Sequence, residues 1–153
     1  MTQRRRDAEI ITLALLWIVT GTAAAGEKKI QMKDLPAAVQ KAVEEQSKGA
    51  TLAGLSREKE NGVTLYEAEM KVGNRTKDVT FDESGKIVIL EEETTLDSIP
   101  APAREAIQKA VGKRKLLILE MVSEGASRFY EAHYRSGLFT KELKVDAAGK
   151  PVK

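Results

Sequence analysis

The chain has no cysteine and one histidine, and its single tryptophan, Trp17, lies near the N-terminus. Without cysteine there is no disulfide, no thiol nucleophile, no thiolate-ligated metal and no lipidated-cysteine anchor. A lone histidine excludes a His-x-x-x-His metal pair. Apart from Trp17, the aromatics are Tyr66, Phe81, Phe129, Tyr130, Tyr134 and Phe139. Stacking on nucleic acid or sugars is therefore poorly provided for, and the strand spacing of these six points to core positions. No charge dominates either: 25 basic residues face 23 acidic ones, interspersed along the chain. Residues 1–25 hold Arg4, Arg5, Arg6, Asp7 and Glu9; without them bases and acids are almost equal in number. No basic face for nucleic acid stands out, and Lys113-Arg114-Lys115 reads as a solvated helix-to-strand connection. Long apolar runs are missing too. In the N-terminal region the charge-free residues from Ile10 to Ala25 fall short of the roughly 20 that span a bilayer.

The composition that remains, 42% hydrophobic and 31% charged over 153 residues, suits a soluble globular domain or two very small ones. The N-terminus carries a targeting pattern. Arg4-Arg5-Arg6 precedes the apolar run Ile10 to Val19, and small residues through Ala23 and Ala25 follow. This is the order of a secretory signal peptide, with cleavage expected after Ala25 and a periplasmic or secreted destination. An uncleaved membrane anchor is the alternative.

Residues 36–88 and 100–152 share one offset of 64 positions without a gap. Tyr66-Glu67-Ala68 matches Tyr130-Glu131-Ala132, and Pro36, Leu52, Leu55, Gly73, Asp82, Gly85 and Lys86 recur as Pro100, Leu116, Leu119, Gly137, Asp146, Gly149 and Lys150. A fixed-offset repeat sets the architecture before any local reading. In each copy an amphipathic helix opens beside a proline, expected at 35–47 and 99–112 with Asp34 and Ser98 as N-caps. The apolar face of the first is Leu35, Val39, Ala42 and Val43, and of the second Ile99, Ala103, Ala106, Ile107 and Ala110. The period then changes from about 3.6 to 2. Tyr66, Ala68, Met70 and Val72 oppose Glu67, Glu69 and Lys71; Tyr130, Ala132 and Tyr134 oppose Glu131, His133 and Arg135. Strands are expected near 51–59, 63–72, 76–82 and 86–92, then 115–123, 127–135, 139–146 and, as a stub, 150–153. Asn61-Gly62, Gly73-Asn74, Ser84-Gly85 and their counterparts mark hairpin turns.

The expected fold is α+β: two tandem helix-plus-four-strand repeats, an antiparallel sheet, and both helices on one face. The divisions are a signal at 1–25, repeat one at 26–93 and repeat two at 94–153. The Glu91 to Asp97 link has no Gly/Ser tract, so the two sheets should join or pack closely.

A Leu-Pro or Ile-Pro pair opening an Ala/Val-rich helix, a Tyr-Glu-Ala strand and an Asp-x-x-Gly-Lys turn, twice behind a signal, resemble the PepSY-like, β-lactamase-inhibitor-like domains of exported bacterial proteins. The resemblance covers about residues 30–153. It implies helices on one face of a curved sheet with the other face free, and partners such as a peptidase or an envelope sensor. It carries over no catalytic residues.

Candidate chemistry is sparse. His133 lacks a marked nucleophile or orienting partner and reads as a solvated surface residue. Glu67, Glu69 and Glu131 could form a glycosidase pair, but Lys71 and Arg135 share their face and favour charge pairing. Asp82 and Asp146 start hairpin turns rather than calcium loops. Glu91-Glu92-Glu93 reads as a solvated strand end. No metal or other cofactor is expected. The expected function is an exported, non-catalytic module that binds a protein or peptide, not nucleic acid, through the helix-free sheet face. The lining residues are Glu67, Glu69, Lys71, Asp78, Thr80, Glu131, His133, Arg135, Glu142 and Lys144. Self-association as a structural or sensory envelope protein, through an exposed strand edge, is the alternative; a hydrolase has no support in the residues.

Overall fold

In the computed structural model the described residues are 27–60 and 62–153. The expected signal region with its Ala25 junction, and Asn61 of the expected first turn, lie outside them. Two helices and eight strands alternate as β1 (Lys28–Lys29), α1 (Ala37–Gln46), β2 (Thr51–Glu60), β3 (Val63–Val72), β4 (Arg75–Asp82), β5 (Ile87–Glu93), α2 (Ala101–Val111), β6 (Leu116–Glu124), β7 (Ser127–Ser136) and β8 (Phe139–Val145). The eight strands form one antiparallel sheet in chain order. β5 and β6 pair from Ile89 opposite Glu124 to Glu93 opposite Glu120, so the strands that follow the two helices join edge to edge. The short β1 was read from sequence as a polar lead-in. The expected last strand is only an isolated bridge between Val145 and Pro151.

Both helices pack on the same face. In α1 the stripe Leu35, Val39 and Val43 is buried against Leu55, Tyr66, Ala68, Met70, Val79 and Phe81. In α2, Ile99, Ala103, Ile107 and Val111 are buried against Leu119, Tyr130, Ala132, Tyr134 and Val145. Positions four apart lie one above the other on a helix, so each stripe is a single seam. Burying each large side chain contributes roughly 1.5–3 kcal/mol. Register confirms the shared face: Ala68 lies opposite Val79, Val79 opposite Leu90, Leu90 opposite Ser123, and Met121 opposite Tyr130. Residues directly opposite point the same way.

The helix starts differ from expectation. Pro36 and Pro100 hold the cap positions, with φ −55° at each, where a missing N–H costs nothing. Asp34 and Ser98 instead close short 3-10 turns. The Asp34 carboxylate accepts the Gln31 N–H at 2.9 Å, and the Ser98 and Thr95 hydroxyls lie 2.8 Å apart. Cations close the far ends. Lys77 donates to the Gln46 carbonyl at 3.2 Å, and Arg114 donates to the Val111 carbonyl at 2.9 Å and to that of Ala110, satisfying carbonyls at the negative end of the dipole. Arg114 also lies 4.8 Å above the Tyr134 ring, so Lys113-Arg114-Lys115 is more than a solvated link.

The Asp-x-x-Gly-Lys turns have a packing reason. Asp82 Oδ1 accepts the N–H groups of Ser84 and Lys86, and Asp146 Oδ1 those of Ala148 and Lys150. Gly85 and Gly149 adopt φ +81° and +76°, and a Cβ there would lie 2.6 Å from the Ala38 carbonyl oxygen and 2.5 Å from that of Pro102. Each turn thus seats directly on the first turn of its helix. Bulges at Leu52/Gly54, Thr80/Phe81 and Leu116/Ile118 bend the sheet.

Candidate functional site: the polar sheet face

Alternation places Ser56, Glu67 and Thr80 side by side on the face opposite the helices, followed by Glu69–Asp78–Glu91 and Glu93–Glu120–Glu131–Lys144 in cross-strand rows. His133 and Glu142 complete a further row beside Ile118. Among the described residues no helix covers this face. Even so, Glu67 retains 9% of its exposure, Thr80 5%, Glu120 8%, Glu131 4% and His133 4%. All ten sequence-derived lining residues lie on the face. Lys71 and Arg135 are exposed at its ends, Glu69, Asp78, Glu142 and Lys144 are half-buried, and the rest are buried.

Three expectations fail here. His133 is not a solvated surface residue: its Nε2 donates to Glu131 Oε1 at 2.8 Å, and Glu120 Oε2 lies 3.9 Å away. Lys71 and Arg135 do not neutralise the acids. Lys144 does, reaching Glu131 Oε2 at 3.2 Å and Glu142 Oε1 at 3.1 Å with its ammonium 5.6 Å over the Phe129 ring. Glu91-Glu92-Glu93 is not a solvated strand end. Glu91 lies mid-sheet between Asp78 and Val122, and Glu93 accepts the Thr76 N–H at 2.9 Å. The aromatic expectation fails once more at Phe139, which with Leu138 is 74% and 92% exposed at the β7–β8 turn. Phe129, in contrast, is buried with Ile89 and Val122, on the polar side.

The acids missed in sequence, Glu91, Glu93 and Glu120, make the face predominantly acidic rather than mixed. Their signal was the same period of two, with Leu90 and Leu119 as apolar neighbours.

The two ends of the face differ electrostatically. At the β6–β8 end, burial alone would raise the Glu131 pKa, but His133 and Lys144 hold it below the ordinary value. Burial would lower His133 and Lys144, yet Glu131, with Glu120 and Glu142 around them, keeps both raised. At the β2–β5 end burial outweighs what opposes it, the Met70 N–H and Lys71 at Asp78 and Lys144 at Glu91. It pushes Glu67 up to about 9, with Asp78, Glu91, Glu69 and Glu27 adding repulsion. Glu91 is pushed up to about 8 by burial and then by Glu120, Glu131 and Asp78. Burial first and Glu69 second take Asp78 to about 6. In the centre, burial takes Glu120 to about 7, against the pull of His133.

Glu131, His133 and Glu142 bring three ligand atoms within 4.8 Å of one another, a donor set that suits a divalent transition metal. The Lys144 ammonium already binds both carboxylates, however, so the cluster carries its own cation. The chemistry on offer is charge recognition and proton uptake.

No protein-family model matches the chain, and no curated protein does. Solved structures do match. A DUF2874 family protein from Bacteroides ovatus is 18% identical, with 78% of this chain and 85% of that one covered and a TM-score of 0.60. A candidate periplasmic protein from Bacteroides eggerthii is 16% identical over 78% and 86%, with a TM-score of 0.64. A BLIP-like protein from Bacteroides fragilis is 19% identical over 78% and 84%, with a TM-score of 0.58. At such identities the likeness establishes a shared fold, the BLIP-like one, and nothing about function.

Proposed function

We propose that the chain is an exported, non-catalytic binding module of the inhibitor or modulator type, contacting a protein or peptide through its polar sheet face. One observation carries this reading. The face gathers ionisable side chains at a cost in desolvation, although an apolar or fully solvated surface would be more stable. Groups retained against stability are the usual mark of a binding surface. The basic, apolar and small-residue order of residues 4–25 supports export, and the candidate periplasmic neighbour agrees with a periplasmic destination. The 64-residue offset supports two tandem PepSY-like halves, since Glu67 opposite Thr80 and Glu131 opposite Lys144 keep one register.

The test is capture from the native envelope fraction on immobilised protein, repeated with Lys71→Glu/Arg135→Glu, which alters the exposed ends of the face, and with a helix-face control, Lys41→Glu. Loss of the partner with the first variant alone is the expected result. Equal capture by all three would remove this face from consideration.

A second reading, self-association, has its own observation. β8 is an edge strand and carries the exposed Leu138 and Phe139 at its start. Light scattering on Phe139→Ser separates the readings: a wild-type dimer that becomes monomeric favours self-association, and a wild-type monomer disfavours it.

A further inference from the structure

The face contains one charge arrangement twice, filled in one place and open in the other. Around Lys144, the strand pairs are Glu131 opposite Lys144 and His133 opposite Glu142. Sixty-four residues earlier the same pairs are Glu67 opposite Thr80 and Glu69 opposite Asp78. The carboxylate pair is kept, since Glu67 and Asp78 stand where Glu131 and Glu142 stand. The ammonium is not: threonine replaces the lysine. The floor changes in step. Phe129, under the Lys144 ammonium, corresponds to the smaller Leu65. In consequence a shallow recess lined by Ser56, Glu58, Leu65, Glu67 and Thr80 opens on the polar face.

Glu67 is the second observation. It is more than nine-tenths buried and lines this recess, yet it has no hydrogen bond or ion pair among the described residues, whereas Glu131 at the matching position has His133 and Lys144. Lys29, opposite Ser56 on β1, shares the face but is exposed and makes no ion pair with Glu67. Glu69 is set aside from the recess. It lies over Gly54, whose absent side chain leaves room for its carboxylate.

We propose that the recess beside Glu67 and Asp78 receives a primary ammonium group, the side-chain terminus of a lysine presented by the binding partner, in the place that Lys144 fills for Glu131 and Glu142. The proposal rests on the polar face being the binding surface and adds the chemistry of what binds there. A compact ammonium with three donors matches the polar groups that line the recess from three strands, Ser56 on β2, Glu67 on β3 and Thr80 on β4, with Asp78 two residues before Thr80 on the same face of β4. Acids surround the position on the neighbouring elements, namely Glu58 on β2, Asp78 on β4, Glu91 on β5 and Glu27 ahead of β1, with Glu69 outside the recess and Lys71 of β3 acting on Asp78. Burial first, and then repulsion from Asp78 and Glu91, keeps Glu67 protonated near neutral pH, so it must ionise when the ammonium arrives. Binding releases a proton and strengthens as pH rises from 7 towards 9.

The test uses the probe N-acetyl-trilysine amide and the carboxyl ¹³C signal of Glu67 in the labelled chain at pH 7.5, with calcium chloride as a separate arm. The expected result is a saturable shift of the Glu67 signal with the peptide. Glu67→Gln and Thr80→Lys, the latter supplying the ammonium internally, should each weaken binding by roughly tenfold or more, the loss expected for a charged hydrogen bond. An amide spectrum confirms that each variant is folded, and if Thr80→Lys does not fold, Glu67→Gln decides. No shift with the peptide, an unchanged affinity in the folded variants, or saturation by calcium in place of the peptide would each overturn the proposal. If envelope capture is still lost in Lys71→Glu/Arg135→Glu, the face remains a binding surface and only the ammonium assignment falls.

Discussion

Replacing Lys144 with threonine should destabilise the fold by about 2–3 kcal/mol near neutral pH. The magnitude follows from the surroundings. Removing one partner of a buried ion pair costs roughly 3–5 kcal/mol, and exposed pairs are worth at most about 1 kcal/mol. Lys144 sits between these limits: its side chain and that of Glu142 keep 19% and 23% exposure, against 5% for Glu131. His133 stays on Glu131 in the variant and limits the loss. The sign with pH is fixed by the shifts. The lowered pKa of Glu131 gives a contribution that is present above its unfolded value and lost as pH falls through the folded one. The raised pKa of Lys144 gives one that persists until pH rises through its folded value. The contribution of the ion pair itself should thus be present between roughly pH 5 and pH 10 and fade towards pH 3. Within that window His133 modulates it. The raised pKa of His133 makes its charge fully available below about pH 6.5, so the variant should suffer less at pH 5.5 than at pH 8.5. Urea unfolding followed by far-ultraviolet circular dichroism, with the slope checked for constancy, measures this. A penalty under about 0.5 kcal/mol, or one that does not change between pH 3 and pH 8, would refute the reasoning.

Glu67→Gln should stabilise, because a carboxyl with a folded pKa raised to about 9 keeps a proton that the unfolded chain releases, and stability falls as pH rises from the ordinary value towards 9. The full shift would amount to ~6 kcal/mol, as much as such a domain's whole stability, so solvent access through the recess must relieve most of it. The expected gain is about 1–3 kcal/mol at pH 8 and none at pH 4, read by the same unfolding curves. Gly85→Ala should cost ~2–4 kcal/mol, since the new Cβ meets the Ala38 carbonyl, whereas Gly137→Ala, with φ +62° and open space around it, should cost ~1 kcal/mol; equal losses in thermal melts would contradict the packing account of the Asp-x-x-Gly-Lys turn. Arg114→Ala removes two bonds to the α2 carbonyls and the contact with Tyr134, and should cost about 1–2 kcal/mol, with hydrogen exchange rising first in the last turn of α2.

Periodicity made most of the fold legible. The stripes through Val39 and Ile107 and the alternation through Tyr66 and Tyr130 specify which face each element buries, and a one-residue slip would invert every strand. Caps were less legible. Pro36 and Pro100 hold the cap positions without a side-chain bond, and residue type alone does not choose between a cap and a preceding turn. At the site, alternation named the face but not its depth. Burial of His133 depends on β6 lying beside β7, and the reach of Lys144 depends on which strand β8 joins. Glu91 reads as part of a solvated strand end, and Glu120 draws no attention, until the β5–β6 pairing joins the two halves and sets Glu93 opposite Glu120. The recess at Glu67 comes from two substitutions in one register, Thr80 for lysine and Leu65 for phenylalanine, and only the assembled sheet brings them together.

The most direct test is the ionisation of Glu67 itself, followed by its carboxyl ¹³C shift from pH 3 to pH 10 in the unaltered chain and in Thr80→Lys. The account predicts a midpoint near 9 in the first. In the variant, where a lysine occupies the place that Lys144 holds beside Glu131, it predicts a fall of several units. A Glu67 that titrates in the ordinary carboxylate range, or one whose midpoint ignores the new lysine, would contradict it.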